Sequence, residues 1–222
     1  KSQHETCLHL VRSLARDPRK SCVLVFVAGM ADIVDLTEKF ESANLGGFCG
    51  PRRFDLVPVH SEIAHEEQLK AFESAEEGFF KVVIATNSAE SSVTLADCDD
   101  VIDLGTHKAL RYDAASHRAV LAPAWVSRAS ATQRAGRTGR VRPGRCWRLY
   151  SRQRFELLRP YELSEIHRQP LDAVVLNLRS MLDAPVGPML AQTLEPPAAN
   201  HVGRSLTLLR KQGFLTEPRG DA

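Results

Sequence analysis

The feature that most restricts the fold is an alternation of short, unbroken apolar runs with amphipathic stretches. Cys22-Val-Leu-Val-Phe-Val-Ala28 is continuous, β-branched and aromatic, the pattern of a strand buried on both faces. Before it, Cys7, Leu10, Val11, Leu14 and Ala15 recur at helical spacing. After Gly29, the residues Met30, Ile33, Val34, Thr37 and Phe40 do the same. The alternation continues with a strand expected at Phe54–Val59, a helix at Ala64–Ala75, and strands at Phe79–Ala85 and Val101–Leu104. Strands separated by helices can return to the same end of a sheet, so the expected class is α/β, a parallel sheet flanked by helices.

The alternation then breaks. Ala109–Asp113 and His117–Leu121 are short runs joined by a small polar turn, which predicts a β-hairpin protruding from the α/β body. Ser127 is placed to cap a helix running through Arg137, Gly144–Tyr150 reads as the last strand, and Ser151–Leu158 as a closing helix. Beyond Pro160 no further strand pattern follows. Leu171, Val174, Val175, Leu178, Met181 and Leu182 form a helical stripe with Pro170 suited to its first turn. A Glu195-Pro-Pro-Ala198 joint precedes a helix carrying Val202, Leu206 and Leu209 and stopped by Gly213. Two domains are therefore expected, residues 1–157 and 158–222.

Five scattered cysteines with no Cys-x-x-Cys pair fit reduced thiols rather than a disulfide framework or a zinc site. No apolar run approaches the ~18 residues of a membrane span, so an intracellular chain is expected, and one beginning at Lys1 reads as a segment of a longer protein. The net charge of +2 announces no nucleic acid, but its distribution is uneven. Arginines stand at 128, 134, 137, 140, 142, 145, 148, 152, 154 and 159, against the single acid Glu156.

Within that stretch, Gln133-Arg-Ala-Gly-Arg-Thr-Gly-Arg140 carries the strongest chemical signal. Arg137 and Arg140 are three apart and project to one side of a helix or its last turn, where two guanidinium groups form a clamp for a multiply charged anion. Gly136 and Gly139 remove side chains where a phosphate must approach, and Gln133 offers an amide that orients water or a phosphate oxygen. A plain surface helix with two central glycines would forfeit ~1 kcal/mol at each.

This block resembles motif VI of the superfamily 2 helicases. Val23–Ile33 resembles motif IV, Ala85-Thr-Asn-Ser-Ala-Glu-Ser-Ser-Val-Thr-Leu95 resembles motif V, and Glu165-Ile-His-Arg168 looks like entry into a winged-helix domain. The order is that of the DEAH-box RNA helicases, and the resemblance covers nearly the whole chain. It implies that residues 1–157 are the second RecA-like domain, with 158–222 the start of the winged helix. It also implies ATP, or another NTP, as the cofactor and RNA as the partner, held through its sugar-phosphate backbone. Arg137 and Arg140 would be arginine fingers on the γ-phosphate, a device worth roughly 10³–10⁵ in rate in related phosphoryl transfers. Gln133 would position water or phosphate. Phe72 falls where the base stacks, although the residues alone allow a core pairing with Leu69. The family's ribose-contacting Asp would stand at 96, where this chain has Ala, and Asp97 is its substitute. Thr86, Asn87 and Ser91 would contact RNA, unless they merely cap a loop. Ala28 replaces a family hydroxyl, which moves that contact to the backbone near Gly29. Glu90 is expected to orient the motif V loop.

No Gly is followed by Lys and no Asp by Glu, so the phosphate-cradling loop and the acidic metal-holding motif are not in these 222 residues. The Mg²⁺ and catalytic base would belong to a preceding RecA-like domain of the same chain. The segment alone is then expected to be inactive, with protein activators as further partners and no membrane association. The competing function is a non-catalytic RNA-binding scaffold derived from the same fold.

Overall fold

The computed structural model describes residues 2–45, 52–90, 95, 97–113, 116, 118–140, 142–182 and 184–216. The chain forms two compact units, one of residues 1–108 and 123–162, the other of 109–122 and 163–222.

The first unit is built on five parallel strands. These are β1 (Cys22–Phe26), β2 (Arg53–Val59), β3 (Phe79–Ala85), β4 (Cys98–Asp103) and β7 (Arg145–Arg148), ordered β2-β3-β1-β4-β7. All five residues of β1 are buried, as its apolar run requires. Its period-two pleat divides them between two cores. Val23 and Val25 face helices α1 (Gln3–Leu14) and α2 (Met30–Leu45) through Val11, Ile33, Leu36 and Phe40, whereas Cys22, Leu24 and Phe26 face Val57, Ala71, Val83 and Val101. The expected α/β class with a flanked parallel sheet is the observed one.

Several boundaries differ from the sequence expectation. The helix expected over Ala64–Ala75 is only α3 (His65–Leu69) followed by a 3-10 turn at Lys70–Phe72. Its end is fixed from β3, where the buried Lys81 ammonium donates to the carbonyls of Ala71, at 3.1 Å, and Glu73. The helix expected through Arg137 is α4 (Arg128–Ala135). Ser127 caps it as expected, its hydroxyl accepting from the Ser130 amide at 3.1 Å, but Gly136 closes it and Gly139 turns left-handed at φ +79°. The closing strand is shorter than expected, and α5 (Arg152–Glu156) follows it, capped by Ser151.

Strands β5 (Thr106–Asp113) and β6 (Arg118–Trp125) form a separate antiparallel hairpin, as expected, and its middle residues group with the second unit. That unit is otherwise helical: α6 (Asp172–Met181), α7 (Val186–Leu190) and α8 (Ala199–Lys211) enclose Leu171, Val175, Val186, Leu190, Val202, Leu206 and Leu209. Leu171 is the N-cap of α6, so Pro170 precedes the helix rather than sitting in its first turn. Gly213 ends α8 at φ +79°, the stop its position suggested. Tyr112 of the hairpin stacks on His201 with ring centroids 4.1 Å apart.

Candidate nucleotide and RNA site

The candidate residues fall at two ends of the parallel sheet. Gly29, Thr86 and Asn87 follow the carboxyl ends of the adjacent strands β1 and β3. Asp97 precedes the amino end of β4, and Phe72 lies on the connection leading to the amino end of β3. A seven-residue strand spans roughly 20 Å, so these are separate surfaces.

At the carboxyl end, the motif IV turn is locked locally. The Asp32 carboxylate accepts from the Ala28 amide at 3.2 Å, and the Gly29 carbonyl accepts from the Ile33 amide at 3.2 Å. Gly29 is covered by the stem of Lys108, whose Cε would lie 2.8 Å from a Cβ at position 29. The Lys108 amide also donates to Ala28 O at 3.2 Å, so this exposed cation is fixed beside the turn. Nothing in its local sequence pattern marked it. Thr86 is only 4% exposed, and its hydroxyl lies 3.1 Å from that of Ser88. Asn87 is exposed and opens the short turn Asn87–Glu90. Ser91 lies outside the described residues.

At the amino end, Lys81 joins two candidates. Its ammonium, 1% exposed, holds the carbonyls that end the Phe72 turn and pairs with Asp97 at 3.0 Å. The Phe72 ring is 49% exposed, not a core residue paired with Leu69. Asp97 is thus oriented by an internal cation.

The motif VI segment is held by Arg134, which the sequence reading passed over. Arg134 is fully buried. It donates to Glu90 Oε1 at 2.8 Å, to Asp103 Oδ1 at 2.7 Å and to Thr106 O at 3.3 Å, and its guanidinium lies 4.9 Å from the Phe26 ring centre. Asp103, also fully buried, accepts further from the Gly105 amide at 2.8 Å and the Tyr150 hydroxyl at 2.8 Å. Each buried charge is therefore paired and hydrogen-bonded, the condition under which burial is tolerated. The link from Arg134 to Glu90 ties motif VI to motif V and gives Glu90 an internal partner. The available signal was a surplus of acids, Asp99, Asp100 and Asp103, along a strand that burial makes costly unless cations meet them.

Beyond α4 the chain is pinned a second time. The Thr138 hydroxyl lies 2.9 Å from Cys98 O and 2.8 Å from Asp99 O. Arg142 pairs with Asp99, and Asp99 also accepts from the Ser21 and Cys22 amides at 2.6 and 3.1 Å. Among these anchors stand Gly136 and Arg140, both exposed, and Arg137, half-buried, with exposed Gln133 just before Arg134. Desolvation pushes the Arg137 pKa below its ordinary value, the positive charge of Arg140 pushes it further, and Glu90 opposes both. A Cβ at Gly136 would meet only backbone oxygen at ordinary contact distance, so neither conformation nor packing requires glycine there.

Comparison with known proteins bears on this arrangement. Residues 5–142 match the helicase conserved C-terminal domain. The chain is 41% identical over 197 residues to the chloroplastic DExH-box ATP-dependent RNA helicase DExH4 of Arabidopsis thaliana, covering 88% of this chain and 14% of that protein. It is 38% identical over 202 residues to the ATP-dependent RNA helicase dhx29 of Xenopus laevis, covering 90% of this chain and 15% of that one. The crystal structure of the E. coli DExH-box NTPase HrpB superposes with a TM-score of 0.80 at 27% identity, over 100% of this chain and 27% of that one. The chain thus spans less than a fifth of the curated relatives named here. A matching domain, an α/β body of the same shape and relatives of one kind agree: the chain belongs to the helicase conserved C-terminal domain family, and its relatives are DExH-box RNA helicases.

Proposed function

We propose that this segment is the second motor domain of an ATP-dependent RNA helicase, supplying the arginine fingers and part of the RNA track. The observation that carries the reading is the Arg137–Arg140 pair. Two cations are presented on a short turn anchored at both ends, and the positive charge of Arg140 disfavours the charged form of Arg137. An anion between them relieves that repulsion, and a terminal phosphate has the charge and the oxygens for two guanidinium groups. Gln133, on the last turns of α4, orients water or a phosphate oxygen beside them, and Gly136 leaves the space open.

Phe72 supplies an exposed ring for the base, and Asp97, fixed by Lys81, accepts from the ribose. The donor set therefore suits a nucleoside triphosphate. When bound, ATP supplies the phosphoryl group, and this chain's residues contribute orientation and positive charge. Among the described residues no three acidic, histidine or cysteine side chains gather to hold a metal. In this reading the preceding RecA-like domain carries the Mg²⁺ and the phosphate-cradling loop.

RNA runs along the carboxyl edge of the sheet, past Asn87, Thr86 and the Gly29 turn. Exposed Asn87 and the Lys108 cation on Gly29 support this, since sequence-blind contact needs backbone-directed amides and charge. Thr86 contributes through its backbone, because its side chain is buried. Residues 158–222 begin a winged-helix domain.

The test is single-turnover ATPase and RNA affinity on the intact protein. Arg137→Ala and Arg140→Ala should each lower turnover by at least ~10², with RNA affinity in the absence of nucleotide little changed. Lys at either position should rescue poorly. Near-normal turnover in Arg140→Ala, or lost RNA binding with turnover per bound complex intact, assigns the pair to RNA and rejects the reading.

A further inference from the structure

The arginines in and around motif VI are only partly spent on internal pairing. Arg134 and Arg142 meet buried carboxylates, and Arg152 pairs with Glu156 at 3.1 Å. Arg128, Arg145, Arg148, Arg154 and Arg159 are all exposed, and among the described residues none pairs with an acid. Two of these five stand over aromatic rings. Arg148 lies 4.5 Å from the centre of Phe155, and Arg154 lies 4.8 Å from that of Trp125. Trp125 stands edge-on to Tyr150, 6.1 Å between centroids, and remains 43% exposed.

The place of this cluster matters as much as its charge. Strand β7 is parallel to β4, with Arg148 opposite Asp103, so Arg148 lies at the carboxyl edge of the sheet and α5 starts just beyond it. Gly105, at the carboxyl end of β4, touches the same cluster: a Cβ there would lie 2.5 Å from the Tyr150 ring and 3.1 Å from Trp125. Along that edge the strands run β3-β1-β4-β7. At about 4.8 Å per strand, Asn87 and Arg148 are separated by roughly 15 Å.

We propose that the Arg148–Arg154–Trp125 surface is a further binding site for single-stranded RNA, extending the track across β4 to the end of β7. The inference rests on the proposed RNA path at the same edge. Guanidinium groups stacked on rings keep their N–H edges outward for phosphates, and the half-exposed indole offers a face for a base. The combination of fixed cations and aromatic faces reads the backbone and stacks bases without regard to sequence, and it suits RNA better than an acidic peptide, which needs no stacking face.

The experiment measures binding of fluorescein-labelled oligouridine to the intact protein across a salt series. Wild type, Arg148→Gln/Arg154→Gln, the corresponding double Lys variant and Asn87→Ala are compared. The Gln pair should weaken binding roughly tenfold or more, and the slope of log K against log salt should shrink by about 1.4, two lost single-strand phosphate contacts. The Lys pair should restore the slope while leaving affinity several-fold low, because an ammonium does not stack. Thermal midpoints of the Lys pair and wild type should agree, separating binding from folding. If Asn87→Ala weakens binding and the Gln pair leaves affinity and slope unchanged, the inference fails while the track at β1 and β3 stands, and the surface belongs to an acidic protein partner. If neither variant weakens binding, the path along the sheet edge is itself wrong.

Discussion

Three arginines in one eight-residue block have different physical roles. Arg134 is a buried structural ion whose removal leaves Glu90 and Asp103 without their cation. Arg134→Ala should therefore destabilise the domain by about 3–5 kcal/mol, measurable by urea unfolding. Arg137 is half-buried and Arg140 exposed, and their Ala variants should fall within about 1 kcal/mol of wild type. A loss at Arg137 as large as that at Arg134 would reject this division. Tyr150 offers a second check. Burial pushes its phenol above the usual value of 10, and the Asp103 charge and its hydrogen bond act in the same direction. A raised folded pKa means stability is complete below pH 10 and declines as pH rises above it, because the unfolded chain releases the proton first. Tyr150→Phe should flatten that alkaline decline in a series of unfolding midpoints, and an unchanged slope would show that Tyr150 is not its source.

At the scale of elements, the turn after α4 depends on β4. Gly144 passes so near that a Cβ would lie 1.9 Å from Thr138 Oγ1 and 2.5 Å from Asp99 O. Gly144→Ala must displace the Thr138 anchor or the strand, costing about 1–3 kcal/mol and loosening the segment that holds Arg140. Turnover should fall further than RNA affinity. If both are intact and the unfolding midpoint is unchanged, the anchor has no such role. The short α3 teaches the same point about legibility. Its apolar and acidic pattern reads as a twelve-residue helix, but the chain turns away after Phe72, where Lys81 of β3 holds the carbonyls of Ala71 and Glu73. Nothing local to residues 64–75 records that.

For the whole molecule, the proposed division of labour predicts that the 222-residue segment on its own releases no phosphate from ATP, with or without RNA, in a colorimetric assay. RNA-stimulated turnover by the segment would overturn the assignment of the phosphate loop and Mg²⁺ to a preceding domain. The prediction belongs at this scale because, in the proposed reading, the fingers would act across a cleft that one domain cannot form alone.

The sequence by itself determined the alternation, and with it the parallel sheet, because a strand buried on both faces must be apolar throughout and a helix between two such strands must be amphipathic. It also singled out the Gln133–Arg140 block, since glycines at that spacing make a poor helix, and the anion clamp proposed there rests on Arg137 and Arg140. Only the tertiary structure decided which arginine was internal. Arg134, Arg137 and Arg140 are chemically alike, and their roles separate only when β4 brings Asp103 under one of them and leaves the others at the surface. Lys81 and Lys108 were equally silent, one buried to hold Asp97 and the other draped over Gly29. A charged side chain takes its meaning from what lies within reach, and the partners of Arg134 and Lys81 are all eight or more residues away in sequence.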